Sequence, residues 1–262
     1  MTIDGYSFAS HLIEMKLGGV VLASATGFIY RGLGPEFLIT NWHNVTGRDP
    51  VTLKALPGGE PDRIDVHLHG PEPSQPGPIV TCPLFDDEDE PAWLEHPDRA
   101  RGIDVAAVPI STEPGAVLAI NEVSSMLKLA VHVGTEVFVL GFPFRLSASG
   151  LPIWKRASIA SEPDIDLDGL PKLLVDTASR PGMSGSPVIL RHWGNVHDRA
   201  GQPSSRETGS RFLGIYSGRV VAADPLEAQL GIVWKARVID EMIATKQRGQ
   251  AIRGVSPRGA DD

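Results

Sequence analysis

The apolar residues of this 262-residue chain fall in short runs, each of which is closed by glycine, proline or charged residues. Residues 20–22, 173–175 and 215–216 are examples. Runs this short are typical of β-strands, and 28 glycines and 22 prolines are available for the turns between them. The exception is residues 236–244, where apolar residues recur at helical spacing. The sequence therefore predicts an all-β fold with one short helix near the C-terminus.

A serine in a tight, glycine-flanked turn precedes one of these predicted strands. The turn has the sequence Pro-Gly-Met-Ser-Gly-Ser-Pro, and the apolar run 188–190 follows it. A hydroxyl is a weak nucleophile at neutral pH, so it requires a base and hydrogen-bond donors that stabilise an oxyanion. Gly182 has the backbone freedom to let its own N–H and that of Ser184 converge on one point. We therefore predict Ser184 as a nucleophile, with the N–H groups of Gly182 and Ser184 as an oxyanion hole.

A candidate base and a candidate acid precede the serine in the chain. His43 follows a predicted apolar strand, which would hold its ring rigidly at the edge of a cleft. Asp104 lies within an apolar run, and a buried carboxylate is costly unless a partner such as a histidine Nδ1–H compensates it. Asp65 and Asp98 are the competing acids, but both have polar, turn-like surroundings. The predicted order is therefore His43, Asp104, Ser184.

Five segments, taken in chain order, resemble the trypsin-like (chymotrypsin-fold) serine peptidases, and in particular their bacterial HtrA-like branch. The segments are residues 24–29, 134–144, 176–187, 212–218 and 230–235. The first is similar to the family's Gly-x-Gly-Phe strand, with alanine in place of the first glycine. The third is similar to Asp-Ala-x-x-x-Pro-Gly-Asn-Ser-Gly-Gly-Pro, which carries the family's nucleophile. Together the five segments extend over most of the chain.

The resemblance implies two six-stranded antiparallel β-barrels followed by a short C-terminal helix. We expect residues 1–115 to form the barrel with the base and the acid, and residues 116–235 to form the barrel with the nucleophile. Residues 236–262 would form the helix and a loose tail. An α/β-hydrolase does not fit, because its histidine follows its serine and its serine turn opens a helix, whereas a strand-like run follows the turn here.

The resemblance also implies a substrate pocket. Ala178 stands six residues before the nucleophile, where an aspartate would select lysine or arginine, so we do not expect that preference. Ser217, Gly218 and Arg219 correspond to the edge segment that pairs with the substrate backbone. Arg219 stands where relatives often have glycine; it narrows the pocket, pairs with an acidic substrate side chain or points into solvent. We expect a small apolar or acidic residue before the scissile bond.

The other candidate ligand clusters are interpreted as structural. His67 and His69 lie on one face of a predicted strand and lack a third metal ligand nearby in sequence. The acidic run 86–90 lacks the glycine and the alternating spacing of a calcium loop. Cys82 is interpreted as a buried small apolar residue. We therefore expect no metal and no other cofactor.

Charge, cysteine content and hydropathy restrict the partners and the compartment. The net charge of −8 disfavours nucleic acid as a partner. A single cysteine excludes an internal disulfide, which argues against the disulfide-stapled secreted branch. The N-terminus lacks a basic region followed by an apolar core, and no apolar run reaches the length of a membrane span. We expect a cytoplasmic bacterial protein that binds no membrane and lacks the PDZ module usual in HtrA-like relatives.

Three functions remain open at this point. The chain is an active serine endopeptidase acting on proteins or peptides, a catalytically silent peptidase-fold binding module, or an effector peptidase that a regulatory protein partner switches on. The presence of histidine, aspartate and serine together favours an active enzyme, because a silent module has no chemical need for all three. Met183 stands where zymogen-type relatives have an aspartate, so we expect no proteolytic maturation.

Overall fold

The structure is a computed structural model that describes most of the chain. The described residues are 3–32, 34–72, 75–113, 115–123, 129–192, 196–197, 203–205, 209–219 and 229–250. In the first half the elements are α1 (Gly5–Ala9), β1 (Ser10–Leu17), β2 (Val20–Arg31), β3 (Glu36–Thr40), α2 (Trp42–Thr46), β4 (Arg63–His69), β5 (Pro76–Pro83), β6 (Leu94–Glu95), β7 (Ala106–Ile110) and α3 (Ile120–Val123). In the second half they are β8 (Glu136–Gly141), β9 (Ile153–Ile159), β10 (Lys172–Asp176), β11 (Pro187–His192), β12 (Val196–His197), β13 (Pro203–Ser205), β14 (Gly209–Arg219), β15 (Leu230–Lys235) and α4 (Arg237–Thr245). Short 3₁₀ turns cover Arg99–Arg101, Pro143–Arg145 and Leu167–Gly169.

The second half of the chain contains a closed barrel of six strands. Around the barrel the order is β10-β15-β14-β11-β8-β9, and its recorded strand pairs are antiparallel. Apolar side chains from alternate positions fill its interior, including Val139, Val175, Val188 and Val233. Strands β12 and β13 form a separate two-stranded sheet. The prediction of a six-stranded barrel is confirmed for this half.

The first half forms a seven-stranded antiparallel sheet in the order β5-β4-β1-β2-β3-β7-β6. The predicted second closed barrel of six strands is not found among the described residues. A physical reason lies at strand β6, which has only two residues and pairs with β7 on one side. Its other side is covered by the segment after α4, where Glu95 N donates to Gln247 O at 3.0 Å and Gly249 N donates to Trp93 O at 2.9 Å. The edge of β6 is therefore not available to pair with β5, and the sheet does not close into a barrel.

A buried apolar layer joins the sheet to the barrel, and we call it the seam. Phe28 and Ile39 reach it from the first sheet, and Leu140, Ile215 and Trp234 reach it from the barrel. All five side chains are at most 3% exposed. A layer of this kind stabilises the association of the two halves through the hydrophobic effect. The functional residues described below lie along the two sides of this seam.

Each end of the described chain packs on the opposite half. Ser10 Oγ donates to Leu140 O of the barrel at 3.0 Å, and Trp154 Nε1 of the barrel donates to Ser7 Oγ at 2.9 Å. Helix α4 follows the barrel but buries Val238 and Met242 against seam residues, which include side chains of the first sheet. The segment around Ser7 and Ser10 and the helix α4 therefore both connect the two halves.

The predicted C-terminal helix is present as α4, and three helices of four or five residues were not predicted. Segments this short carry too few residues for a helical repeat to show in the sequence. None of the helices in the described residues has the length and apolar composition required to cross a bilayer. The last residues of the predicted tail, 251–262, lie outside the described residues.

Candidate active site

His43 lies on the one-turn helix α2, immediately after strand β3. The helix ends at Gly47, whose N–H donates to His43 O at 2.9 Å. Gly47 has φ +65°, and a Cβ at this position would lie 2.0 Å from Gly59 O, so only glycine fits. Strand β3 and this tight cap therefore fix the backbone that carries the imidazole.

Two hydrogen bonds join His43 to Asp104. The His43 backbone N–H donates to Asp104 Oδ1 at 2.9 Å, and His43 Nδ1 lies 2.7 Å from Asp104 Oδ2. A carboxylate accepts, so Nδ1 carries the proton and Nε2 is left as the basic nitrogen. Asn41 Nδ2 also donates to the Asp104 backbone carbonyl at 2.8 Å. The pair is thus oriented from both its side chains and its backbone.

Electrostatics favour the charged forms of this pair. Burial opposes ionisation of Asp104, but the His43 ring and its hydrogen bonds lower the pKa of the carboxyl below its ordinary value. Burial likewise disfavours an imidazolium, but Asp104, with a smaller contribution from Asp49, raises the pKa of His43 above its ordinary value. The arrangement suits a histidine that must accept a proton and hold it briefly.

A third side chain, Ser217, also binds this carboxylate. Its Oγ donates to Asp104 Oδ2, the same oxygen that His43 contacts. Ser217 belongs to β14 of the barrel, so the bond crosses the seam. The sequence analysis placed Ser217 only at the substrate edge. Its hydroxyl contact was missed because 113 residues separate the partners and no local pattern links them.

The competing acids have other partners. Asp65 Oδ2 lies 2.6 Å from Lys16 Nζ, and Thr81 Oγ1 donates to Asp65 Oδ1 at 2.7 Å. The side chain of Asp98 is 57% exposed and forms a surface ion pair with Arg101. Of the three candidate acids, only Asp104 contacts His43.

The turn around Ser184 requires its glycines. Gly182 has φ +90°, and a Cβ there would lie 2.3 Å from Phe142 O. Gly185 has φ +83°, and a Cβ there would lie 2.0 Å from Thr26 O. Both positions combine a left-handed backbone with a close approach of another chain segment, which excludes other residues. The glycines noted in the sequence thus have a direct structural cause.

The peptide group between Pro181 and Gly182 has a fixed orientation. Phe144 N donates to Pro181 O at 2.8 Å. In a trans peptide the carbonyl and the next N–H point in opposite directions, so the N–H of Gly182 points away from Phe144. Within the described part of the chain, the N–H groups of Gly182 and Ser184 have no hydrogen-bond acceptor. Two free donors two residues apart can bind an anion.

The segments that carry His43 and Ser184 meet at the seam. Ser184 O accepts from Thr26 N at 2.9 Å, and a Cβ on Gly185 would lie 2.6 Å from Thr40 Oγ1, three residues before His43. Among the contacts of the described residues there is no hydrogen bond between His43 and the Ser184 hydroxyl. Catalytic hydrogen bonds are often long before substrate binds and shorten in the complex.

The predicted substrate-binding residues lie beside the turn. Ala178 is half-buried in the segment between β10 and the turn. The pairing of β14 with β15 shifts register between Tyr216 and Arg219, so Ser217 and Gly218 are not paired with β15. Gly218 has φ +94° and open space around its Cα. The side chain of Arg219, and the roles suggested for it, lie outside what the structure describes.

The structural interpretation of the other clusters is consistent with their contacts. His69 Nε2 donates to Ser10 O at 2.8 Å, and His67 Nε2 lies 3.3 Å from Glu14 Oε2. The described residues contain no group of three or more histidine, cysteine, aspartate or glutamate side chains arranged to hold a metal. Cys82 is buried, and burial raises the pKa of its thiol to about 12, so it is no nucleophile at neutral pH.

A barrel packed on an antiparallel sheet, with a His–Asp pair and a glycine-flanked serine turn at the seam, defines a class of β-rich serine hydrolases. The family model described as trypsin-like peptidase domain matches residues 25–196, more than half of the chain. The chain therefore belongs to the family of trypsin-like peptidase domains and is a serine protease. The family resemblance seen in the sequence is confirmed.

Two solved structures are similar to this chain. The inactive serine-to-alanine variant of Rv3671c from M. tuberculosis is 19% identical, with a TM-score of 0.47, and the match covers 92% of this chain and 87% of that one. A serine endoprotease from Yersinia pestis is 14% identical, with a TM-score of 0.51 and 91% of this chain covered. This chain spans only 62% of that protein's length. Comparison with curated proteins gives no match.

Proposed function

We propose that this protein is a serine endopeptidase that acts through His43, Asp104 and Ser184. The observation that carries the proposal is the doubly hydrogen-bonded His43–Asp104 pair, which lies across the seam from a serine turn with two free N–H groups. The family match supports the reaction class, and the geometry supports the choice of residues. No other described acid, base and hydroxyl are combined in this way at the seam.

In the proposed mechanism His43 Nε2 takes the proton from Ser184 Oγ as the hydroxyl attacks the scissile carbonyl. The N–H groups of Gly182 and Ser184 stabilise the oxyanion that forms. The imidazolium, stabilised by Asp104, then protonates the leaving amine, and water repeats the cycle on the acyl-enzyme. Asp104 stays ionised throughout, in agreement with its lowered pKa.

The proposed substrate is a protein or peptide that binds in extended form along Ser217 and Gly218, which lack a strand partner on the β15 side. The small, uncharged Ala178 near the turn supports a small apolar or acidic residue before the scissile bond. A peptide library cleaved by the purified chain measures this preference directly. Predominant cleavage after lysine or arginine would contradict it.

Labelling by a fluorophosphonate, together with peptide hydrolysis, tests the proposed function. The full chain is expected to be labelled once, and Ser184→Ala is expected to lose both labelling and hydrolysis. Ser186→Ala is the matched control, because Ser186 is two residues away, is fully buried and has no hydrogen-bond partner for its hydroxyl among the residues that the structure describes. Loss of labelling in Ser186→Ala with retention in Ser184→Ala would assign the nucleophile differently.

The gated effector is the second candidate. The observation that favours it is the absence of a hydrogen bond between His43 and Ser184 among the described contacts. In this candidate function, a partner protein or the substrate brings His43 Nε2 and Ser184 Oγ within hydrogen-bond distance. Strong labelling of the isolated chain would contradict gating, whereas labelling that appears only after cell extract or a peptide is added would support it.

A further inference from the structure

We propose that Thr26 is a positioning residue for the oxyanion hole, an inference that rests on the proposed function. Thr26 lies on β2 of the first sheet and is fully buried. Its Oγ1 donates to Gly182 O at 2.7 Å and accepts from Phe142 N at 3.2 Å. One hydroxyl of the first sheet therefore binds both the serine turn and the loop beside it, and both of these belong to the second half.

The hydroxyl acts on the peptide group that separates the two oxyanion donors. The Gly182 carbonyl belongs to the peptide between Gly182 and Met183, which lies between the N–H groups of Gly182 and Ser184. The two flanking peptides share the Cα atoms of Gly182 and Met183 with this central peptide, so a displacement of the central peptide would move the N–H groups of Gly182 and Ser184 relative to each other. Glycine offers little resistance to such a displacement, because it adopts many backbone conformations. The orientation must therefore be imposed from outside the turn.

Thr26 also holds the turn through its backbone. Its N–H donates to Ser184 O at 2.9 Å, and its carbonyl accepts from Thr40 Oγ1 at 3.0 Å. Thr40 in turn accepts from Asn44 Nδ2 at 2.9 Å, on the helix that carries His43. A continuous series of buried hydrogen bonds thus links the helix of the base to the turn of the nucleophile, with Thr26 in the middle.

The other peptides of the turn have separate supports. The Pro181 carbonyl accepts from Phe144 N at 2.8 Å, and the Met183 carbonyl accepts from Ser186 N at 3.1 Å. The Gly182 carbonyl receives its hydrogen bond from the Thr26 side chain. This is the one support among them that a side-chain substitution can remove without changing the backbone of the turn.

Thr26→Val tests the proposal, because valine keeps the shape and removes the hydroxyl. We expect kcat to fall by about tenfold to a hundredfold with KM changed less than about threefold, as for loss of an interaction made in the transition state. A peptide boronate, which mimics the tetrahedral intermediate, should lose affinity by a similar factor. Thr26→Ser restores the hydroxyl and should recover most of kcat.

Ser10→Ala is the matched control for stability. Ser10 is also fully buried, and its hydroxyl also donates across the seam to a backbone carbonyl, that of Leu140, but it does not touch the turn. Ser10→Ala should lower the unfolding midpoint without lowering kcat. If Thr26→Val does not fold, Thr26→Cys replaces it, since a thiol is a weak donor of similar size, and the same loss of kcat is expected.

Two results would overturn the proposal: a kcat of Thr26→Val equal to that of the parent protein, or a kcat of Thr26→Ser as low as that of Thr26→Val. The failure of the proposed function has a different signature. In that case the parent protein hydrolyses no peptide under any condition in which the fluorophosphonate labels it, or Ser184→Ala is labelled to the same extent as the parent protein.

Discussion

The two sides of the seam hold their functional residues in different ways. On the sheet side, His43 and Asp104 are joined to each other directly, and Asn41, between β3 and α2, donates to the Asp104 backbone carbonyl. On the barrel side, the Ser184 turn receives much of its support from across the seam, mainly from Thr26. The His43–Asp104 pair therefore has most of its hydrogen bonds within its own half and one from Ser217 across the seam, whereas the Ser184 turn depends more on how sheet and barrel fit together.

Asp104→Asn should produce the largest effect, because it removes the carboxylate that accepts the His43 Nδ1 proton. An amide donates to Nδ1, so the proton moves to Nε2 and the imidazole can no longer act as a base. We expect a loss of kcat on the order of 10⁴-fold. Steady-state peptide hydrolysis measures it. Asp98→Asn, at an exposed acid without contact to His43, is the control and should be unaffected.

Gly182→Ala should disturb the Ser184 turn and leave the His43–Asp104 pair intact. The added Cβ would lie 2.3 Å from Phe142 O, so the turn must move. The N–H groups of Gly182 and Ser184 would then no longer point to a common site. We expect kcat to fall about 10²- to 10³-fold. Gly134→Ala is the control, since Gly134 also has a left-handed φ, of +83°, but has open space around it.

An NMR titration of the His43 imidazole resonances shows whether Gly182→Ala changes only the Ser184 turn or also the His43–Asp104 pair. If the turn alone moves, the pKa of His43 stays as in the parent protein. A shifted His43 pKa in this variant would show that the two sides are not independent.

The pH dependence of kcat/KM reports the sheet side alone. Only neutral His43 accepts the serine proton, so activity falls about tenfold per unit as the pH drops below the pKa of His43. Because Asp104 raises this pKa, the midpoint should lie above the ordinary value of about 6.5. Asp49→Asn removes a second raising charge and should move the midpoint to lower pH. A midpoint below 6.5 in the parent protein would contradict this electrostatic account.

The smallest expected effect comes from a pair of matched substitutions in the core. Ile39→Val removes one methylene at the seam, and Ile64→Val removes one from the interior of the first sheet; both side chains are fully buried. Each should lower the free energy of unfolding by about 0.5–1.5 kcal/mol, as measured by chemical denaturation. Only Ile39→Val should also lower kcat, by a few-fold, because Ile39 precedes Thr40, whose hydroxyl binds the Thr26 carbonyl. Equal loss of activity in both variants would show that the turn responds to overall stability and not to the seam.

The sequence predicts the parts of the site whose causes are local. Apolar neighbours mark Asp104 as a buried acid, and the glycines around Ser184 mark a left-handed turn. The contacts made by Thr26 and Ser217 could not be predicted, because each depends on the register between distant strands. The same holds for the open first sheet, whose edge is covered by residues 247–249, far from strand β6 in sequence.

The exchange of terminal segments between the halves has a consequence for biosynthesis. Residues around α1, which are translated before the barrel, bind strands β8 and β9, and the edge of the first sheet is covered by residues translated after the barrel. Closing such distant contacts is entropically costly and slows folding. A nascent first half would therefore remain incompletely packed until the barrel and the residues that follow it have been translated, and proteolytic activity would appear only after that point.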